Sequence, residues 1–461
     1  MRDEDAEENR FTSEGLPGVP APVHVAQEMG KGLGRGEILL EKMQVGRMTE
    51  RFPELAEAKE TISFRPTRAN GLARLKQFVG RTGRHYASTR NYDFGTERRS
   101  NVSGLSPWLR HRLITETEVL AAVLASHNFN AAEKFVQEVF WRTYFKGWLE
   151  QRPSVWTLYQ RDLSHACERL SDDDCLRARF SDAVNGNTGI DCFDHWVREL
   201  LVTGYLHNHA RMWFASIWIF TLRLPWQLGA DFFLRHLLDG DPASNTLSWR
   251  WVGGLHTKGK TYLARPDNIA KYTEGRFQPK GLAKSAEPLT EPVDHPLVPL
   301  SSPRMPSESP CLLLLTEDDL SAHHMMPTSP AAVIGLLATH GRSPNPIGDA
   351  VQDFAKGAMR SALEPQGKLG KSTEDWYSAL IEATRNAGVT TIATAYAPVG
   401  PVRSRLDRAE PVLKEAGLSL NRIMRPYDAL MWLHARAGFF GLRKKIPSLL
   451  GQLNLAKQLG S

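Results

Sequence analysis

The chain has 461 residues, more than one hydrophobic core normally serves, so we expect two domains with additional tails or linkers. Hydrophobic residues make up 41% and charged residues 23%, a composition that excludes a disordered or fibrous chain and is typical of globular proteins. The formal net charge of +6 favours an anionic partner such as nucleic acid, although many basic proteins bind no DNA.

Residues 1–64 mix charge, glycine and proline without sustained periodicity, and we predict a largely flexible segment there. The first ten residues, MRDEDAEENR, are acidic and lack the apolar core of a secretory signal. The four cysteines show no CxxC spacing, which argues against a zinc site and a disulfide framework and favours a reducing compartment. We therefore expect a cytoplasmic protein without a metal site.

Residues 65–285 are predicted to form an all-helical domain, because apolar residues recur there at helical spacing. The most apolar stretch, residues 213–222, is shorter than the roughly 20 apolar residues that cross a bilayer, so it is predicted to be a buried core helix. The clearest apolar stripe consists of Phe193, Trp196, Val197, Leu200 and Leu201.

Residues 286–310 contain repeated prolines, which remove backbone donors and disfavour helix, and they are predicted to be a linker. In residues 311–461, short apolar runs typical of buried parallel strands alternate with helical segments. We therefore predict a C-terminal doubly wound, Rossmann-like α/β domain. It carries neither a GxGxxG fingerprint nor a P-loop, so no motif indicates a nucleotide there.

One helix face in the helical domain is predicted to combine charged and aromatic side chains. Glu138, Trp141, Arg142 and Phe145 follow one another at spacings of three and four residues, which places a carboxylate, an indole and a guanidinium together. From the spacing alone, a surface ion pair beside a packed tryptophan is the simpler interpretation. A binding surface is the alternative.

Two further segments place polar residues on shared helix faces. In GYLHNHARMWF, Asn208, Arg211 and Met212 lead into the apolar stretch, where polar groups need partners. In LLDGDPASNTLSWRW, Asp241 followed by proline is the ordinary start of a capped helix. Such a start, with its oriented amides, is compatible with holding a polar ring. The polar and aromatic residues of this segment are Asp239, Asp241, Asn245 and Trp249.

A fourth segment, SNVSGLSPW, offers a cradle for an anion. Ser103, Gly104 and Ser106 supply hydroxyls and amides before a helix that is predicted to begin near Pro107. Serine and proline also simply mark helix starts, so this segment alone is weak support for a binding site.

Taken together, the runs TGYLHNHARM, LPWQLGADFF and LLDGDPASNTLSWRW resemble, in order and spacing, the most diagnostic core of the flavin domain of the DNA photolyase and cryptochrome family. The resemblance extends from about Arg65 to Phe277. It implies FAD, active in its reduced form, in a buried pocket. The residues that would hold its diphosphate and ribityl are Tyr86, Ser103, Leu105 and Ser106, and those around its ring are Arg142, Arg211, Asp239, Asp241 and Asn245, with Asp239 paired to Arg211.

The resemblance also implies an electron relay and a place for damaged DNA. Trp249 and Trp226 would begin the relay to the surface, and Trp156 is a guess for its third member. A pyrimidine dimer extruded from DNA needs aromatic and apolar walls and a few polar groups that read the base edges. The residues that match the family's dimer pocket are Glu138, Trp141, Asn208, Met212 and Trp251.

The sequence departs from the family pattern at single positions and in domain order. Val102, Phe135 and His209 stand where threonine, tryptophan and a DNA-facing arginine are common. Family members ordinarily place the α/β domain before the flavin domain, whereas here LLLLTEDDLSAHH, which resembles its first strand and acidic turn, comes afterwards. The sequence therefore predicts a circular permutation, with an unrelated α/β appendage as the alternative. No motif indicates a second, antenna chromophore.

The resemblance favours a deoxyribodipyrimidine photo-lyase, a monomer that splits cyclobutane pyrimidine dimers in damaged DNA under blue light. A cryptochrome-like photoreceptor would use the same flavin and tryptophans, but retention of the dimer-pocket residues favours repair. A photolyase for (6-4) photoproducts typically has a histidine acid, for which His207 or His209 would be candidates. A flavin-free helical protein of the same fold is the remaining alternative.

Overall fold

The computed structural model describes residues 60–306, 308–364 and 375–455, so most of the predicted flexible segment lies outside the described residues. The described part is rich in helix and contains one small parallel sheet. Up to the sheet, the helices are α1 (Arg68–Phe78), α2 (Arg84–Thr89), α3 (Ser106–Arg110), α4 (Glu116–Ser126), α5 (Phe129–Glu150), α6 (Ser154–Asp172), α7 (Asp174–Asn185), α8 (Asp191–Thr203), α9 (Asn208–Ser216), α10 (Trp226–His236), α11 (Pro242–Val252) and α12 (Pro266–Tyr272).

The longest of these helices, α5, is central to the helical part. It begins where the side chain of Asn128 accepts a hydrogen bond from the amide of Ala131, and it buries most of its last two turns. Of the apolar stripe predicted in α8, four residues are buried but Leu201 is 43% exposed, because a stripe of this width extends beyond the contact with neighbouring helices. The predicted core stretch is buried over most of its length and continues α9 as a π-helix, Ile217–Thr221.

The described residues of the predicted linker form no helix and no strand apart from an isolated bridge of Arg304 with Ile423, and their backbone lies along the helical part. The amide of Leu289 donates to the carbonyl of Gly253 at 2.9 Å, and Glu291 forms a two-point ion pair with Arg250. The amide of Val298 donates to the carbonyl of Gln151, the residue that ends α5. The segment is therefore held in place by contacts instead of spanning free space.

Four parallel strands follow in the order β2, β1, β3, β4 across the sheet. β1 lies in the middle and every one of its residues is buried, as its leucine run predicts. The strands are β1 (Leu312–Thr316), β2 (Ala332–Leu336), β3 (Thr391–Ala395) and β4 (Ser419–Ile423), and the later helices are α13 (Asp349–Leu363), α14 (Trp376–Ala387), α15 (Pro401–Glu415), α16 (Pro426–Trp432), α17 (Phe439–Arg443) and α18 (Ile446–Gln452).

The acidic turn after β1 joins the sheet to the helical part through buried ion pairs. Asp318 accepts a hydrogen bond from Arg110 at 2.6 Å, and the carbonyl of Glu317 contacts the ring of His111 at 2.8 Å. Arg112 pairs with Asp428 at 2.7 Å and approaches Asp319 at 3.3 Å. The carboxyl end of β1, where open α/β sheets commonly bind ligands, is thus filled by side chains of the chain itself.

The last helices pack on α5. The hydroxyls of Thr143 and Tyr427 lie 2.8 Å apart, and the side-chain amide of Gln151 donates to the carbonyl of Trp432 at 3.0 Å. Gly147 permits this approach, since a Cβ there would lie 2.9 Å from the backbone of Trp432. Among the described residues, no helix is long and apolar enough to cross a membrane.

Candidate functional site

A cavity of about 410 Å³ opens between helices of the helical part and is closed on one side by α17. This volume lies within the range of small-molecule and cofactor sites. The predicted site residues that line it are Tyr86, Ser103, Leu105, Ser106, Glu138, Trp141, Arg142, Asn208, Arg211, Met212, Asp239, Asp241, Asn245, Trp249 and Trp251.

One wall is the turn that leads into α3. Gly104 has φ of +61°, a conformation that favours glycine, and a Cβ at this position would lie 2.6 Å from the end of the Ile62 side chain, which would have to shift. Arg74 fixes the turn by donating to the carbonyls of Val102 and Ser103 at 2.8 and 2.7 Å. The turn therefore presents its serine hydroxyls to the cavity in a fixed arrangement.

The predicted pair of Arg211 and Asp239 is present at the end of α10. The guanidinium donates two hydrogen bonds to the carboxylate, at 3.1 and 2.9 Å, and its Nε donates to the carbonyl of Leu206 at 3.0 Å. Burial opposes ionisation of Asp239, but the charge of Arg211 lowers its pKa below the usual value. A fixed, charged pair therefore forms part of the cavity wall.

Asp241 caps α11 and also faces two cations. Its Oδ1 accepts a hydrogen bond from the amide of Ser244 at 2.9 Å, which confirms the predicted cap. Its Oδ2 lies 3.6 Å from both Nη2 of Arg142 and Nζ of Lys146. Although burial opposes ionisation, these two cations hold the pKa of Asp241 well below its usual range.

Several polar atoms around the cavity lack a hydrogen-bond partner among the described residues. They include Nε and Nη2 of Arg142, Nε1 of Trp249 and Oγ of Ser244. Buried donors of this kind are costly unless something pairs with them. The amide of Asn245, in contrast, donates to the carbonyl of Ala230 at 2.8 Å, which fixes its orientation in α11.

The opposite wall carries the residues predicted to face a DNA lesion. Glu138 forms an ion pair with Arg90, whose side chain is largely buried. The ring of Trp251 stacks on Tyr262 with centroids 5.6 Å apart. Asn208 begins α9 and is exposed, and Met212 lies one turn later on the same helix.

His207 and His209 are buried beside this wall. Their rings contact the carbonyls of Arg90 and Asn91 at 3.0 Å each, and His209 also stacks on Trp213. Burial lowers the pKa of each histidine to about 4, so both are neutral at pH 7. Neither histidine is in the charged form that a proton donor at this pH would need. His209 also does not take the exposed position expected of a side chain that faces DNA.

The predicted electron relay is only partly at the cavity. Trp249 lines it, while Trp226 lies outside it at the start of α10, where its ring is 5.6 Å from that of Tyr159. Tyr159 in turn lies 5.1 Å from Trp156. A Cβ at Gly229 would lie 2.3 Å from the ring of Trp249, so the indole rests directly against the helix that Trp226 begins.

The structure adds wall residues that sequence reasoning did not select. Arg90 lines the cavity and pairs with Glu138, while Lys146 lies behind the lining and pairs with the buried Asp241; both come from segments already singled out, and both are recognisable only through these acidic partners. Three others, Phe439, Phe440 and Arg443, belong to α17, within the segment predicted as part of the α/β domain. Their contact with the cavity depends on how distant parts of the chain pack, which local spacing does not reveal.

Comparison with known proteins gives a consistent set of likenesses. Residues 135–281 match the family model described as the FAD binding domain of DNA photolyase. A deoxyribodipyrimidine photo-lyase of Streptomyces griseus is 32% identical over 195 residues, covering 40% of this chain and 41% of the relative. A chloroplastic/mitochondrial cryptochrome DASH of Ostreococcus tauri is 27% identical over 238 residues, covering 50% and 41%.

A solved structure, a bacterial class III photolyase from Agrobacterium tumefaciens, is 26% identical, covers 46% of this chain and 43% of its own, and has a TM-score of 0.39. The chain spans about two fifths of the length of the first curated relatives that it matches. The matched family model covers the helices that build most of the cavity wall, from α5 to the segment after α12. These residues make the helical part of this chain similar to the FAD binding domain of DNA photolyase.

Proposed function

We propose that this protein is a light-driven DNA repair enzyme that splits cyclobutane pyrimidine dimers with bound FAD. The observation that carries the proposal is that one cavity brings both sets of predicted residues together. The residues expected to hold the flavin come from α2, the turn before α3, α5, α9 and the segment from Asp239 into α11, while Glu138, Trp141, Met212 and Trp251 face the same space from α5, α9 and α11. Both partners of the reaction could therefore meet in a single site.

The residues around the cavity fit FAD. Nε and Nη2 of Arg142 are buried and have no hydrogen-bond partner among the described residues, although Nη2 lies within ion-pair distance of Asp241, and such donors suit the oxygen and nitrogen acceptors of a flavin ring. The hydroxyls of Ser103 and Ser106 suit phosphate and ribityl oxygens. When bound in reduced form, FAD would supply the light-driven electron-donating chemistry that such a reaction needs. Arg142, Asp239, Asp241 and Asn245 would hold its ring.

The opposite wall fits an extruded pyrimidine dimer. Trp141 and Trp251 provide flat apolar surfaces, and Met212 adds a polarisable thioether. Glu138 and Asn208 provide hydrogen-bonding groups for the base edges. The guanidinium of Arg90 holds the carboxylate of Glu138 in place, so Glu138 could orient the lesion without being free to rotate away.

The test uses the purified full chain, photoreduced and illuminated with blue light in the presence of a dimer-containing oligonucleotide. We expect recovery of monomeric pyrimidines, measured by chromatography. E138Q should slow repair by at least about tenfold, the order of a lost active-site hydrogen bond, while the flavin absorption bands persist. The control E168Q changes an exposed glutamate on α6 and should repair normally. Absence of any repair by the reduced wild-type protein would refute the proposal.

A blue-light photoreceptor is the second candidate. Proteins named cryptochrome DASH are among the relatives, and in this structure one face of Trp141 is covered by Phe439 instead of being open to DNA. The buried, neutral His207 and His209 do not favour a (6-4) photolyase. Dark binding that prefers dimer-containing DNA over undamaged DNA would support repair, and equal binding to both would support the photoreceptor.

The proposed function also bears on the order of the domains and on the route of electrons through the protein. We propose that the sheet of residues 311–461 is the α/β domain of the family, moved by circular permutation to follow the flavin domain. Trp249, Trp226 and Trp156 would carry electrons toward the surface, with Tyr159 between the last two rings. W226F should slow photoreduction of bound flavin without changing flavin content.

A further inference from the structure

Helix α17 places an aromatic ring directly on a surface that the proposed lesion would use. The rings of Phe439 and Trp141 stack with centroids 3.7 Å apart and planes inclined by 14°. Phe439 is only 2% exposed, and its ring also meets the edge of Tyr144 at 5.7 Å. This face of Trp141 is therefore fully occupied by another part of the same chain.

Two further aromatic rings pack against Trp141 and limit where a base could stack on it. Tyr144 meets the indole edge-on and Phe145 lies tilted against it, with centroids 5.6 and 5.4 Å away. An extruded base stacks by lying flat against an aromatic side chain. A base could use the covered face only after Phe439 has left it.

Helix α17 is built in a way that would allow such a movement. It has only five residues, and exposed residues precede and follow it at 436–438 and 444–445. Buried Leu442 and the contact of Arg443 with Glu133 at 3.4 Å help to hold it against the helical part. Short segments with few buried anchors and exposed ends are those that open locally at low cost.

The charge around α17 matches a nucleic acid. Arg436, Arg443, Lys444 and Lys445 lie in or beside the helix, and no acidic residue follows Asp428 in the sequence. Lys444 and Lys445 are exposed and directly follow Arg443, which lines the cavity. Phosphates approaching the cavity would therefore meet positive charge on the same element that carries Phe439.

We propose that α17 is an aromatic gate: Phe439 occupies the base-stacking face of Trp141 until DNA phosphates bind the basic turn and an extruded pyrimidine replaces the phenyl ring. This inference rests on the proposed repair function. It adds that binding of damaged DNA is coupled to displacement of residues 439–443, and that the resting protein holds its own dimer pocket closed.

The test compares dark binding of a labelled dimer-containing oligonucleotide and its undamaged counterpart by fluorescence anisotropy, with the full-length FAD-loaded protein. F439L keeps the apolar volume but removes the aromatic stack, so it should bind the dimer roughly three- to tenfold more tightly than wild type, the order that one aromatic pair contributes. E133Q removes the ion pair that holds Arg443 and should act in the same direction. The control L433A alters an exposed leucine before the helix and should bind as wild type.

Hydrogen exchange supplies a second measurement that does not depend on a variant. Amides of residues 439–443 should exchange faster when dimer-containing DNA is added and should not change with undamaged DNA. If wild type prefers dimer DNA while F439L binds no more tightly and exchange is unaltered, the gate is refuted and the repair proposal stands. If neither protein prefers dimer DNA, the repair proposal fails and the gate fails with it.

Discussion

Asp241 illustrates how single residues combine a local and a distant role. Its Oδ1 caps α11, as the order of aspartate and proline predicts, while its Oδ2 faces Arg142 and Lys146 from α5. Because Lys146 is buried, its charge depends on this carboxylate, and burial lowers the pKa of Lys146 in spite of it. The same side chain therefore starts a helix and supports the cationic wall of the cavity.

These two roles can be separated by D241N. Asparagine caps helices about as well as aspartate, so the start of α11 should remain intact. The loss of the charge leaves the buried Lys146 without its main counter-ion, and we expect the free energy of unfolding to fall by about 3 kcal/mol. Urea denaturation measures this loss, and flavin absorbance reports whether the cavity still retains FAD. D162N, in a surface pair with Arg161, should change stability by less than about 1 kcal/mol.

At the scale of elements, the turn before α3 depends on a backbone conformation that few residues adopt. Gly104 has positive φ and packs against Ile62, and Arg74 holds the neighbouring carbonyls. This arrangement explains why a short segment without a nucleotide-binding motif can still form a rigid wall. The serine hydroxyls are positioned by the turn and not by a long helix.

Replacement of Gly104 by alanine should disturb this wall. The left-handed conformation and the contact with Ile62 should together cost about 1–3 kcal/mol of stability. We also expect weaker retention of FAD, because the adjacent hydroxyls would move. G80A is the matched control, since a Cβ at Gly80 would meet nothing within 4 Å. Thermal unfolding and the ratio of flavin to protein absorbance distinguish the two variants, and equal behaviour would contradict this account of the turn.

At the scale of the whole molecule, the sheet and the helical part are joined by charge instead of by apolar contact alone. Arg112, which has positive φ, reaches Glu116, Asp319 and Asp428 from a fully buried position. Burial opposes its charge, but the carboxylates raise the pKa of Arg112 well above its usual value. The contact between the sheet and the helical part therefore depends on every charge in this network keeping its partner.

R112L should uncouple the two parts. Removal of one partner from a buried ionic network costs about 3–5 kcal/mol, because the remaining carboxylates stay buried without a counter-ion. Asp428 anchors α16 to this network, so the last helices should loosen first. Hydrogen exchange of residues 426–452 should rise before that of α9 to α11. Simultaneous loss of protection in all of these helices would contradict this order.

Buried histidines predict the pH dependence of stability. Burial lowers the pKa of His207 and His209 to about 4 and that of His256 to about 3, against 6.5 when unfolded. Between pH 6.5 and 4 the unfolded chain therefore binds more protons than the folded one, so stability falls as the pH falls, by about 1.4 kcal/mol per pH unit for each histidine. Denaturation midpoints at pH 8, 6.5, 5 and 4 measure the slope. H256Q should flatten it, because it removes one of these three buried histidines.

Local sequence patterns predicted those parts of the structure that depend on neighbours in the chain. The cap at Asp241, the first three strands of the sheet and the buried stretch before Leu222 follow from local sequence patterns, and the pair of Arg211 with Asp239 followed from family resemblance. The exposure of Leu201 and the position of α17 depend on which surfaces meet in three dimensions. A run of aromatic and basic residues, GFFGLRKK, was the only local signal for the latter.

The stack of Phe439 on Trp141 also has a consequence for biosynthesis. Roughly 300 residues separate the two rings along the chain, and at about 5–20 residues per second a ribosome needs about 15–60 seconds to make them. During this interval the nascent helical part presents an aromatic surface that its final partner cannot yet cover. Early binding of flavin, or of a chaperone that recognises apolar surface, would protect the growing chain from aggregation until its last helices arrive.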